Sequence, residues 1–143
     1  MSYDLYLKDR VSGEVINLPF NHCMTGGMYR AQFENGQFSP MPTSEAWLNI
    51  TFNYAKYYQE GAEGDNRFKV NGKNVGIKAL NGKTGLESIN MLDILIINIK
   101  HKYPKLECSD DYWEARPGNA IKPLYQLKTM AELRPDGVWE VQY

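Results

Sequence analysis

The chain has 143 residues, of which 43% are hydrophobic and 23% charged, with a net charge of −1. That length predicts one domain with a core that needs no disulfide or metal staple. The balanced charge argues against a nonspecific nucleic-acid binder and against a polybasic membrane-surface protein.

Ten Tyr, three Trp and twelve Asn suit a surface that stacks rings and hydrogen-bonds neutral polar groups. The opening Met1-Ser2-Tyr3-Asp4-Leu5 has no cationic or long apolar stretch of the secretory kind. The apolar run at 86–99 is interrupted by Glu87, Asn90, Asp93 and Asn98, too polar for a membrane span. The expected setting is the cytoplasm, where Cys23 and Cys108 are free thiols.

Tyr3, Leu5 and Leu7 alternate with polar neighbours, which predicts a half-buried strand over 3–8. Turn residues follow at 9–14. Val15-Ile16-Asn17-Leu18 reads as the return strand of a hairpin, ended by Pro19. Residues 20–44 carry Gly26-Gly27, Asn35-Gly36, Pro40 and Pro42 and read as a long irregular segment. A short hairpin is expected around Asn35-Gly36, with Tyr29-Arg30-Ala31-Gln32-Phe33 on one side.

Trp47 to Tyr54 reads as a strand with two faces. Leu48, Ile50, Phe52 and Tyr54 form a core face, and Trp47, Asn49, Thr51 and Asn53 a polar one. Residues 59–66 read as an acidic loop and 67–72 as a small hairpin turning at Asn71-Gly72, together an insertion over 59–75.

Thr84-Gly85-Leu86-Glu87 is a capping box opening a helix that runs to about Tyr103 before Pro104. Leu86, Ile89, Leu92, Ile96 and Ile99 form its expected core stripe. Ile94 and Ile97 lie off the stripe, which predicts a homo-oligomer, most simply a dimer. A second helix is expected to end at Arg134 and to start either at Lys122 with Pro123 at its first position or, the preferred reading, near Pro117 with Pro123 inside it, and Val138-Trp139-Glu140-Val141 reads as a closing strand or tail. Strands before helices, without βαβ alternation, predict a single α+β domain in which two main helices cover an antiparallel sheet.

No catalytic constellation stands out. Gly82-Lys83-Thr84 lacks the upstream glycine of a phosphate-binding loop, since position 77 is Ile. Lys83 and Thr84 nevertheless sit at a helix start, where anions are favoured. Neither the two His nor the two Cys have zinc-ligand spacing. The better lead is amide and aromatic. His22, Thr25, Gly26 and Gly27 lie in an open segment, Trp47, Asn49 and Asn53 share a strand face, and Trp113 and Asn119 precede the second helix. With Lys83 and Thr84 they form the expected ligand-binding set, with no metal and no cofactor.

The start at Tyr3-Asp4, His22 with Thr25-Gly26-Gly27, Trp47-Leu48-Asn49-Ile50-Thr51, Lys83-Thr84-Gly85 with Glu87-Ser88, Asp111-Tyr112-Trp113, Gly118-Asn119-Ala120 and Arg134-Pro135-Asp136-Gly137 resemble a family of short phage and prophage proteins. The resemblance covers most of the chain outside 59–75. It implies a viral or prophage origin and a host-cell cytoplasmic setting, and carries over no catalytic residues. Small phage proteins often counter host defence, and by analogy the expected function is non-catalytic binding of a small polar or nucleotide-type signal. The competing readings are an enzyme on a nucleotide or sugar, with His22 as acid or base, and an inhibitor that binds a host protein.

Overall fold

The alternating N-terminal residues form the middle strand of a sheet. The computed structural model describes residues 1–28 and 42–143, so the hairpin expected around Asn35-Gly36 lies outside the described residues. Strand β1 (Ser2–Lys8) pairs antiparallel on one side with β4 (Trp47–Thr51), aligning Leu5 with Leu48, and on the other with β7 (Val138–Gln142), aligning Leu5 with Val141. Tyr3, Leu5, Leu7, Leu48, Ile50, Trp139 and Val141 all point to one face and are buried, as the period of two requires. The architecture is α+β.

Helices α2 (Gly85–Lys102) and α3 (Pro117–Leu133) contribute to the same core through Leu92, Leu95, Ile99, Leu124 and Leu127. They run antiparallel, since Gly85 at the start of α2 lies against the Ala131 and Arg134 carbonyls at the end of α3. The capping box closes as read, with Thr84 Oγ1 accepting from Glu87 N and Glu87 Oε1 accepting from Thr84 N, both at 3.1 Å. The stripe is rotated from its expected position. Met91, Leu92, Leu95, Ile96 and Ile99 are buried, whereas Leu86 is 68% exposed. The small Gly85 and Ser88 face inward at the first turn instead, where backbone and the Trp139 indole crowd them: Trp139 Nε1 donates to Ser88 Oγ at 2.8 Å.

Three further readings are corrected. The hairpin return at 15–18 is only a bridge between Lys8 and Val15. The strand proper, β2 (Asn17–His22), contains Pro19 and pairs with β3 (Thr43–Glu45). The ladder is irregular between Asn17 and His22, which accommodates a residue that has no N–H to donate. Secondly, the strand from Trp47 stops at Thr51. The Thr51 hydroxyl caps a 3₁₀ turn (Phe52–Tyr54) by accepting from Asn53 N, and α1 (Ala55–Gly61) follows, its end overlapping the start of the loop expected at 59–66. Phe52 is consequently only half-buried, its ring 4.4 Å from that of Tyr3. Thirdly, residues 59–75 are not merely an appendage. Ala62 and Phe68 are buried in the shared core, beside the small hairpin of β5 (Lys69–Val70) and β6 (Lys73–Asn74). That hairpin turns at Asn71-Gly72, both with positive φ, as read.

Both edges of the three-stranded sheet are occupied by irregular chain. Beside β4, Asn49 N donates to Met24 O and Gly26 N donates to Asn49 O. Beside β7, Trp139 N donates to Lys83 O and Gly82 N donates to Trp139 O. Segments 24–26 and 82–84 therefore lie on opposite edges, and neither edge presents a free ladder.

Tyrosine hydroxyls tie the segment entering α3 to the rest. Tyr54 donates to Tyr112 O, Tyr57 to Ala115 O at 2.9 Å, and Tyr58 to Ala120 O at 2.8 Å. Tyr112 answers by accepting from the buried Thr51 N at 2.8 Å. Burial pushes Tyr54 and Tyr58 up, and pushes Tyr112 up to about 12, so each remains a neutral hydroxyl. Tyr112→Phe would leave the Thr51 N–H unpaired, and the expected loss is ~1–3 kcal/mol in urea melts. Tyr125→Phe, on the exposed face of α3, should change little.

Folded-state hydroxyls raised above the unfolded value near 10 bind more protons than the unfolded chain. The contribution of Tyr112 is complete below about pH 10 and lost as pH rises through about 12, while those of Tyr54 and Tyr58 begin to fall over the same range. Urea midpoints should therefore fall steeply between those values, and less steeply in Tyr112→Phe. At Gly118, a Cβ would stand 2.5 Å from the Leu106 carbonyl oxygen. Helix propensity alone would make Gly118→Ala a gain of about 1 kcal/mol. The expected result is a net loss of ~1–3 kcal/mol, the usual penalty of overpacking, measured in the same melts.

Candidate functional site

Two clefts lie along α3, on either side of the Gly27 turn, and both are bordered by Met28. The polar one, about 240 Å³, is lined by Gly27, Met28, Tyr54, Ser109, Asp110, Tyr112, Asn119 and Lys122. The second, about 330 Å³ and mainly apolar, is walled by Phe20, Asn21, His22, Cys23, Met28, Gln126, Thr129 and Met130. Gly27 N donates to Gln126 Oε1 at 2.7 Å on the ridge between them.

The ridge depends on glycine. Gly27 has φ +87° and packs beside the ring of Pro123, so a side chain there would be strained. Gly26 is buried against Ile50 and Leu48 of β4. Thr25 turns its hydroxyl to Met24 Sδ and continues the edge beside β4 through its bridge to Asn49. Thr25 and Gly26 thus build the wall, and Gly27 reaches the cleft.

Asn119 is buried and already engaged. Its Oδ1 accepts from Ser109 N at 3.0 Å, and its Nδ2 donates to Asp111 O at 3.1 Å and Glu114 O at 3.4 Å. It holds the 109–114 turn over the start of α3, so its role at the polar cleft is to fix the rim. Lys122 Nζ makes no ion pair with the described residues and is half-buried at the cleft. Asp110 lines the same recess, so a cation and a carboxylate stand there beside two neutral tyrosine hydroxyls, a lining that suits a strongly polar group engaged by Lys122.

His22 lies in the apolar cleft, with both ring nitrogens on backbone carbonyls: Nδ1 faces Cys23 O at 3.1 Å and Nε2 faces Glu45 O at 2.7 Å. A neutral imidazole carries one N–H, so one nitrogen donates to its carbonyl and the other, which one being set by the tautomer, faces an oxygen that offers it no proton. Cys23 beside it is buried and Cys108 is exposed, each a free thiol.

The remaining expected residues lie elsewhere. Strand alternation turns Trp47 and Asn49 to the sheet face opposite the helices. There Trp47 Nε1 and Asn49 Nδ2 both donate to Asp4 Oδ1, at 3.0 and 2.8 Å, and the Trp47 ring stacks on Tyr6 at 5.6 Å. Asn53 Nδ2 donates to Trp113 O at 2.7 Å. The Trp113 ring, 63% exposed, meets Tyr112 edge-on at 4.9 Å and so stands near the polar cleft. Lys83 and Thr84 stand at the far edge of the sheet, where Thr84 bridges to Val138 of β7. Thr84 is committed to the capping box, and the pair does not join the clefts. Lys122, Ser109 and Tyr54 are lining residues that the sequence reading missed. Each sits in an element whose neighbours in space are set by the tyrosine ties, and no local pattern marks it.

Comparison with protein-family models, with curated proteins and with solved structures finds no match.

Proposed function

We propose that this protein binds a small nucleotide-type ligand without transforming it, across the two clefts that meet at Met28. The observation that carries this reading is the division of their chemistry. An apolar recess walled by Phe20, His22 and Met130 adjoins a polar one with Ser109, Asn119 and Lys122. A base ring belongs in the first and a sugar or phosphate in the second. The Gly27 turn lets backbone approach the ligand closely between them. Both His22 nitrogens face backbone carbonyls, with no carboxylate or hydroxyl of the described residues bonded to them to relay a proton, and this supports binding over the enzymatic reading in which His22 moves one. In the host cytoplasm, with the phage resemblance, such a protein would act by sequestering a nucleotide defence signal.

A symmetric dimer is part of the same proposal. Ile97 is 59% exposed on the outer side of α2, and a second copy is the simplest cover for it. Ile94 instead packs against the core, so the test is Ile97→Lys, which should yield a folded monomer in light scattering, and a wild-type monomer removes the dimer.

Calorimetric titration with cyclic and linear nucleotides tests the site. Loss of the charge-assisted contact in Lys122→Ala should weaken binding by ~1.5–3 kcal/mol. Trp47→Ala and Lys83→Ala should bind as the unaltered chain does. Binding that survives Lys122→Ala but is lost in Trp47→Ala would move the site to the outer sheet face. If no nucleotide binds, the host-protein inhibitor becomes the better reading.

A further inference from the structure

The other side of the segment between α2 and α3 holds a third and larger cleft, about 450 Å³, lined by Tyr57, Lys102, Tyr103, Pro104, Lys105, Leu106, Glu107, Arg116 and Pro117. Its volume falls in the range of small-molecule sites. Its floor is apolar and rigid. The Tyr57 and Tyr103 rings meet edge to face at 5.2 Å. Tyr57 is anchored by its bond to Ala115 O, and Tyr103 donates its hydroxyl to Glu60 Oε2. That bond pushes Tyr103 up to about 12, so its ring is neutral.

The backbone here is strained. Leu106 has φ +44°, in the left-handed region that a bulky side chain rarely adopts. Packing enforces it, since the Leu106 carbonyl oxygen is pressed against Gly118 at the start of α3. Strain of this kind persists where the surroundings over-determine it and gathers at ligand sites.

The rim is charged but mostly paired: Lys102, Lys105, Arg116 and Glu107 stand there, and all but Lys105 make ion pairs with described residues. Glu60 engages Lys102 at 3.6 Å, and Glu114 and Glu107 engage Arg116 at 2.6 and 3.4 Å. Lys105 makes no ion pair with the described residues and is exposed. Lys100, His101 and Lys102 occupy the last turn of α2, where cations offset the helix dipole. Lys105 lies outside that turn, so neither the dipole nor an ion pair with a described residue accounts for it.

We infer that this cleft is a second ligand site, separate from the one along α3, for a small amphiphilic anion: a flat apolar body seated on Tyr57, Tyr103 and Leu106, with a carboxylate or an equivalent acidic head held by Lys105. The proposal does not depend on the nucleotide reading, because the two sites share no lining residue.

The test is an NMR titration of the full chain with 1-naphthoate, and with neutral 1-naphthamide as the uncharged counterpart. Naphthoate should shift the signals of Tyr57, Tyr103, Lys105 and Leu106, and the amide should bind more weakly. Lys105→Glu, at an exposed position that leaves the fold intact, should weaken naphthoate about fivefold, the upper scale of a solvent-facing charge pair. Lys78→Glu, at a cation that stacks on Tyr143 away from the cleft, should not. The proposal fails if millimolar naphthoate leaves these residues unshifted, if the amide binds as tightly, or if Lys105→Glu binds as the unaltered chain does.

Discussion

The segment between α2 and α3 has little regular structure, yet it forms a wall of two clefts. What holds it is a set of hydroxyl bonds from one short stretch of chain. Tyr54, Tyr57 and Tyr58, on the 3₁₀ turn and the first helix, reach the carbonyls of Tyr112, Ala115 and Ala120. Tyr112 returns the tie to the end of β4 through Thr51 N. Each bond is worth about 1 kcal/mol net, and their combined effect is geometric. They fix where the loop stands relative to sheet and helix, and hence the shape of the space on either side. Tyrosine suits this use because its ring fills core volume while its hydroxyl satisfies a buried carbonyl.

Asn119 complements these ties from the other direction. A buried amide must meet its hydrogen-bonding demand, and Asn119 does so with three backbone groups of the 109–114 turn. Gly118 beside it lets the loop backbone lie directly against the helix. The consecutive Gly118-Asn119 therefore acts as a clamp, one residue by absence of bulk and the other by its amide. A position that read as ligand-facing serves chiefly to shape the rim that the ligand would meet.

Trp47 and Asn49 show a similar shift of role. Their aromatic and amide chemistry is real, but Asp4 accepts from both on the outer sheet face. The alternation that buries Leu48 and Ile50 forces Trp47 and Asn49 away from the helices, and thereby away from the clefts. Thr25, Gly26 and Gly27 run along the opposite wall because Gly26 can press against Ile50 without a side chain. The two halves of the expected ligand surface are thus split across the sheet.

The sequence by itself determined the features that depend on neighbours along the chain. These are the alternation of β1, the first five residues of the strand from Trp47, the Thr84–Glu87 capping box and the Asn71-Gly72 turn. Each is decided by interactions within about four residues, so periodicity and capping chemistry suffice. Tertiary structure alone decided that Phe68 is core, that α1 forms and ends at Gly61, and that Lys122 rather than Lys83 stands at a cleft. Gly61 illustrates the reason. Without a side chain it lets α1 approach Leu95 and Ile99 of α2, and its carbonyl accepts from Asn98 Nδ2 at 2.8 Å. Local propensity counts that glycine against a helix, whereas packing between elements distant in sequence makes it the residue that fits.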